Sequence, residues 1–186
     1  MNSKRIIVLW SLICVLVLVM SISSVAEDQK PYKGWANRIS TVFGELDEII
    51  EGSYLDSVID SLGPPIYFPY VAYMTFYGIN NVGGSSIHDN MALFYLNFSD
   101  FPNLFWDFYE DQTITVANGD RIFVTVVGTC NFDFSYCTST DTVVDGTGRF
   151  DNAEGEMEVT PGLIKGDLEV VVFDGWITTV GSAKEE

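Results

Sequence analysis

The sequence has one histidine, His88, and it lies close to Ser85, Ser86 and Asp89. Those are the residue types of a nucleophile, a base and an orienting acid. Triad members normally converge from separate elements, which four neighbours on one segment do not do. His88 therefore reads as a turn histidine, and a single histidine excludes a histidine-rich zinc site. The acids Asp141, Asp145, Asp151, Asp167 and Asp174 flank predicted turns. A hard cation needs several oxygens converging on one point, and no EF-hand spacing is present. These acids read as solvated turn residues, so neither a metal nor another cofactor is implied. No phosphate-cradling loop or dinucleotide fingerprint is present either. The aromatic run Phe98, Phe101, Phe105, Trp106, Phe108 and Tyr109 has two readings. Large rings by default pack a core. They also line ligand mouths, and Trp106 and Tyr109 are the candidate ligand-binding residues. Asn97-Phe98-Ser99 matches the N-glycosylation acceptor pattern.

The compartment follows from the first residues and the cysteines. Lys4 and Arg5 precede an apolar run from Ile6 to Met20, and Ser24-Val25-Ala26 supplies small residues at a cleavage site. That is the pattern of a cleavable export signal over residues 1–26. The apolar run is about 15 residues, short of the ~20 that span a bilayer. The expectation is a secreted or cell-surface protein with no stable membrane insertion after cleavage; an uncleaved anchor is the alternative. Cys14 lies inside the apolar run, so Cys130 and Cys137 are the cysteines of the mature chain. In an oxidising compartment they are expected to pair. So short a loop gains roughly 2.5 kcal/mol from chain entropy. The bridge would pin the loop 131–136 between two strands.

The charge excludes one class of partner. The chain has 26 acidic and 9 basic residues, a net charge of −17, and the signal removes only basic ones. Such a field repels nucleic acid and anionic lipid.

The elements that must position these residues are mostly strands. A short entry strand is expected around Trp35 to Ile39. One helix is expected between Phe43 and Leu62, best in its second half, where Ser53 caps and Leu55, Val58, Ile59 and Leu62 recur at helical spacing. Gly63-Pro64-Pro65 should end it. Strands follow at 66–77, 91–98, 104–109, 112–116, 121–129, 138–144, 154–160 and 167–179, separated by Gly, Asn and Pro turns. Short strands at this spacing indicate a barrel or sandwich. Glu154, Glu156 and Glu158 alternate with Gly155, Met157 and Val159, so the acids face water and the others the interior. In the last strand, Leu168, Val170 and Val172 lie on one face and Val171, Phe173 and Ile177 on the other. Two apolar faces imply a cover, from the helix or from a second subunit in a homo-oligomer.

One segment carries a family resemblance. Asp145-Gly146-Thr147-Gly148-Arg149-Phe150-Asp151-Asn152-Ala153-Glu154-Gly155 resembles the G-G-T-G-[RK]-F-x-x-A-x-G element of dirigent proteins and allene-oxide-cyclase-like barrels. Asp145 replaces the usual first glycine. Upstream, Ala117-Asn118-Gly119-Asp120 leads to Gly128-Thr129, and Gly175-Trp176-Ile177 gives the closing G-x-I. The resemblance spans about Ile66 to Thr179 and implies a small antiparallel β-barrel. Gly146 and Gly148 would permit positive φ, Phe150 and Ala153 would plug the barrel, and Gly155 would allow close backbone approach. Members that direct or catalyse reactions work inside the barrel on apolar, oxygenated small molecules. The motif contains none of their pocket residues, so it assigns no catalytic residue here.

The expected fold class is all-β, a small antiparallel barrel with one short N-terminal helix. The expected organisation is residues 1–26 signal, 27–65 N-terminal segment, 66–180 barrel and 181–186 polar tail. The expected function is non-catalytic: binding a small apolar ligand, or a cell-surface role. The alternatives are an isomerase or cyclase resembling allene oxide cyclase, and a structural or adhesive surface protein. An acid facing an internal cavity would favour the enzyme.

Overall fold

A computed structural model describes residues 29–62, 68–99, 101–165 and 168–179. The cleavage site after Ala26, the Gly63-Pro64-Pro65 stop and the polar tail lie outside the described residues.

Eight strands run in chain order: β1 (Lys30–Gly44), β2 (Tyr70–Asn80), β3 (Gly84–Asn97), β4 (Phe105–Val116), β5 (Arg121–Asn131), β6 (Cys137–Gly146), β7 (Gly155–Lys165) and β8 (Leu168–Ile177). Each pairs antiparallel with the next, and β1 pairs with β8 to close the barrel. Closure leaves no open sheet edge. The barrel therefore starts at Lys30, not near residue 66. The segment expected to precede it supplies its first strand, much longer than Trp35 to Ile39.

Side chains alternate in and out along each strand. In β4, Phe108, Glu110, Gln112, Ile114 and Val116 are buried at every second position. In β7, Met157 is buried while Glu156 and Glu158 are exposed, as the sequence alternation requires. A bulge between Arg38 and Ser40 shifts the register of β1, so the cavity-lining positions change from Tyr32 and Arg38 to Thr41 and Phe43.

The helix forms where the apolar spacing is best. Helix α1 (Tyr54–Leu62) follows Ser53, whose Oγ accepts from Asp56 N at 3.2 Å. Gly52, at φ +78°, donates its N–H to Asp56 Oδ2 at 2.8 Å. Leu55 and Val58 pack on Leu93, with Met91 and Tyr109 beside them. Leu55 is fully buried, worth roughly 1.5–3 kcal/mol. The helix thus covers the outer face of β3 and β4. It does not cover β8, whose Val172 remains exposed.

The Asp145–Gly155 segment closes one end of the barrel. A 3-10 turn at Gly148–Phe150 drives Phe150 into the core, where it and Ala153 are buried. Gly148 takes φ +63°, but Gly146 does not have positive φ. Gly146 is needed for space instead: a Cβ there would stand 2.5 Å from Phe150 O and 2.6 Å from Arg121 O. At Gly155 a Cβ would meet Trp176 O at 2.5 Å, which is the expected close backbone approach.

Cys130 and Cys137 pair as expected, at facing positions of β5 and β6 with Cα atoms 4.0 Å apart.

Candidate functional site

The barrel encloses a cavity of about 510 Å³. It opens at the end carrying loop 131–136, where exposed Phe43, Asp133 and Ser135 contribute to its lining. Phe150 and Ala153 block the other end.

Strand register sorts the lining into rows. At the mouth, Trp106 pairs with Cys130, and Cys130 with Cys137. The next row is aromatic: Tyr70 faces Phe94, and Phe94 faces Phe108. Tyr70 and Phe94 stack with centroids 4.9 Å apart, and Phe94 and Phe108 at 5.3 Å. Phe108 lies over Gly128, the facing residue of β5, which has no side chain to obstruct it.

One row deeper the lining turns polar. Ala72 faces Ala92, Ala92 faces Glu110, Glu110 faces Val126, and Val126 faces Asp141. The two alanines leave room that larger side chains would fill. Glu110 and Asp141 both point inward, with Val126 between them. The row below holds Asn90 and Gln112, again at facing positions. Asn90 Nδ2 donates to Glu110 Oε2 at 2.6 Å, and Gln112 Nε2 donates to Asn90 Oδ1 at 3.2 Å. This relay fixes both amides and leaves Gln112 Oε1 buried with no hydrogen-bond donor. Ser139 Oγ donates to Asp141 Oδ1 at 2.8 Å. Arg38 reaches Glu169 Oε2 at 3.3 Å, and both line the cavity. Tyr32 Oη, also in the lining, is buried without a partner.

Burial dominates the electrostatics. It raises Glu110 to about 8, helped by repulsion from Asp141 and partly offset by the Asn90 hydrogen bond. It raises Asp141 to about 7, against the pull of Ser139. Glu169 is also raised by burial, and Arg38 draws it back. Burial lowers His88 to about 4, so the imidazole is neutral at pH 7. The site can therefore hold and exchange protons near neutral pH, inside a mostly apolar enclosure.

The expected site residues separate. His88 is not in a turn: β3 extends to Gly84 and carries it, buried, into the barrel. Ser86 Oγ lies 2.9 Å from His88 Nε2, and Asn80 Nδ2 donates to that same Oγ at 3.3 Å. Asp89 faces the outside, where it accepts from Thr75 Oγ1 at 3.1 Å, and Ser85 shares its outward parity. The histidine and one serine meet, but the acid does not join them. Trp106 stands on the inner face of β4 and stacks on Phe134 at 5.4 Å, but it is not part of the cavity lining. Tyr109 has the opposite parity and faces outward, beside α1 and stacked on Tyr95. Asp141 is a correction: it is a buried residue in mid-strand, not a solvated turn acid. Asp145 is a turn acid as expected, accepting from Gly146 N and Asn152 N. The side-chain amide of Asn97 donates to Asp107 Oδ2.

Glu110, Asn90, Gln112 and Arg38 were not legible as site residues one by one. The alternation of Phe108, Glu110, Gln112 and Ile114 was the available signal for two of them. Splitting β4 into two strands near residue 110 hid it.

No family model matches the sequence, and no curated protein matches it. Among solved structures, the chain is similar to the pterocarpan synthase dirigent protein PsPTS1, at 13% identity and a TM-score of 0.48. That match covers 82% of this chain and 96% of the other. It is also similar to the pterocarpan synthase dirigent protein GePTS1, at 14% identity and a TM-score of 0.48, covering 82% of this chain and 92% of the other. The closed eight-stranded antiparallel barrel with one short helix, plugged by its Asp145–Gly155 turn, is a barrel of the kind that the resemblance implies.

Proposed function

We propose that this chain is a non-catalytic binder that holds one small, largely apolar molecule inside its barrel, outside the cytoplasm. The observation that carries the reading is the cavity of about 510 Å³, with an aromatic row above a few convergent polar groups. Ligand sites have this size and this mixture: apolar walls supply affinity and a few polar atoms fix orientation. The stacked Tyr70, Phe94 and Phe108 would grip a flat or branched hydrocarbon body.

The experiment is native mass spectrometry of the protein purified from its own host, compared with an Ala72→Leu variant. Ala72 stands in the polar row and lines the cavity, so three added carbons enter the cavity instead of the wall. A retained small molecule on the native protein, lost from a folded Ala72→Leu variant, supports the reading. A retained molecule indifferent to Ala72→Leu would place it elsewhere and refute it.

A second reading is proton-transfer chemistry of the isomerase or cyclase type. One observation favours it: Glu110 and Asp141 face the cavity with values near neutral pH. Such a pair can supply one acid and one base. Conversion of the bound molecule by the native protein but not by Glu110→Gln or Asp141→Asn would establish it over simple binding.

A further inference from the structure

The cavity lining is predominantly acidic among its charged groups. Its charged members are Glu110, Asp133, Asp141 and Glu169 against Arg38, and Arg38 is the one cationic side chain among the described lining residues. Arg38 is already engaged, 3.3 Å from Glu169. The amide relay adds a further acceptor: Gln112 spends its Nε2 on Asn90, and its Oε1, from a side chain more than nine-tenths buried, receives nothing. An amide oxygen cannot become a donor, so this atom can only accept. Glu110 stands at the other end of the same relay. Asp141 shares its register row, and its repulsion adds to the burial that raises Glu110. Above them Tyr70, Phe94 and Phe108 form a stacked aromatic wall. Aromatic faces attract cations, most strongly where water is excluded.

We propose that the cavity selects a protonated amine carried on an apolar body, with the ammonium seated among Glu110, Asp141 and Gln112 Oε1 and the body against Tyr70, Phe94 and Phe108. The proposal rests on the binding reading above and names its ligand class. An ammonium has three donors and no acceptor, which suits a seat offered by two carboxyls and an amide oxygen. It also relieves the repulsion between the two carboxyls. Binding therefore drives them to ionise and releases protons. The other titratable and charged side chains lining the cavity are His88 on β3, Tyr32 and Arg38 on β1, Tyr70 on β2, Glu169 on β8 and Asp133 in the loop 131–136. His88 is neutral throughout the range tested, and Tyr32 is raised by burial, so neither supplies that proton.

The test is calorimetric titration of the purified protein with three probes that share one skeleton: tryptamine, tryptophol and indole-3-acetate. Each is measured at pH 6.5 and 8.5, in two buffers of different ionisation enthalpy. Tryptamine is expected to bind roughly tenfold or more tighter than tryptophol, as charge-assisted hydrogen bonds in a buried site require. Its affinity should rise with pH, and its binding should release protons. Indole-3-acetate should bind weakest. Glu110→Gln and Asp141→Asn should lose the preference for tryptamine yet still bind tryptophol, which shows that the variants are folded. If tryptophol binds the native protein as tightly as tryptamine, or tryptamine weakens as pH rises, the amine proposal is overturned and the binding reading stands. If no probe binds, the amine proposal is overturned, and native mass spectrometry of the host-purified protein decides the binding reading separately. Where a variant fails to fold, the native three-probe series decides alone.

Discussion

Replacing Glu110 by Gln tests the electrostatics of the cavity through stability alone. Burial moves the Glu110 carboxyl from 4.5 to about 8. Between those values the folded chain keeps a proton that the unfolded chain has released. Stability from this group is thus fully present below 4.5 and is lost as pH rises through about 8. His88 acts in the opposite sense: lowered from 6.5 to about 4, it costs stability only as pH falls below 6.5. The window from about pH 6.5 to 8.5 therefore isolates the acids. Over that window Glu110 spans about 1.5 pH units of differential protonation, worth roughly 2 kcal/mol. In a domain of this size that is roughly 4–8 °C of melting temperature. Asp141, raised to about 7, contributes in the same direction over a shorter span. The assay is thermal unfolding followed by circular dichroism at both pH values, for the native protein and Glu110→Gln. The native protein should lose roughly 4–8 °C more than the variant on going to pH 8.5. Equal losses would mean that Glu110 ionises freely in the folded state, and would refute the burial argument.

Three further predictions concern packing. Gly128→Ala puts a Cβ 2.2 Å from the Phe108 ring and 2.6 Å from Thr138 O. It should cost about 1–3 kcal/mol in urea unfolding, with part recovered by adding Phe108→Leu; no recovery would assign the clash to backbone alone. Phe150→Ala removes the fully buried plug and should cost roughly 3–5 kcal/mol; a cost below about 1 kcal/mol would show that the plug is dispensable. The double variant Cys130→Ser, Cys137→Ser should lose roughly 2–3 kcal/mol in urea relative to the oxidised protein, and a reducing agent should destabilise only the native chain.

The sequence carried the barrel more readily than its contents. Alternation in Glu154 to Val159 has a local cause, a two-residue period, and appears as read; the Gly-rich turn at 145–155 also forms, with Gly148 at positive φ but Gly146 serving space instead. The helix was legible from Ser53 and from the spacing of Leu55, Val58, Ile59 and Leu62. The site was hidden because a charged residue reads by default as solvated. Glu110 and Asp141 break that rule, since closure of the barrel encloses the inner face of their strands at those positions. Strict parity would have reached them: Glu110 shares a face with Phe108 and Ile114, and Asp141 with Val143. His88 was misplaced for a related reason. Gly83 and Gly84 end the turn itself, so the polar residues that follow, Ser85 to Asn90, are strand and not loop. The β1–β8 pairing that closes the barrel joins residues about 140 apart, as Lys33 and Asp174 do across 141 positions, and no local pattern reports that.

The central claim is that the molecule is held inside the barrel. The direct measurement is methyl-resolved NMR of the protein titrated with tryptamine and tryptophol. The account predicts shifts at the cavity methyls of Ala72, Met74, Val126 and Met157, with Leu55, Val58 and Leu93 under α1 unmoved. Shifts confined to Leu55, Val58 and Leu93, or no shift at any of the seven, would contradict it.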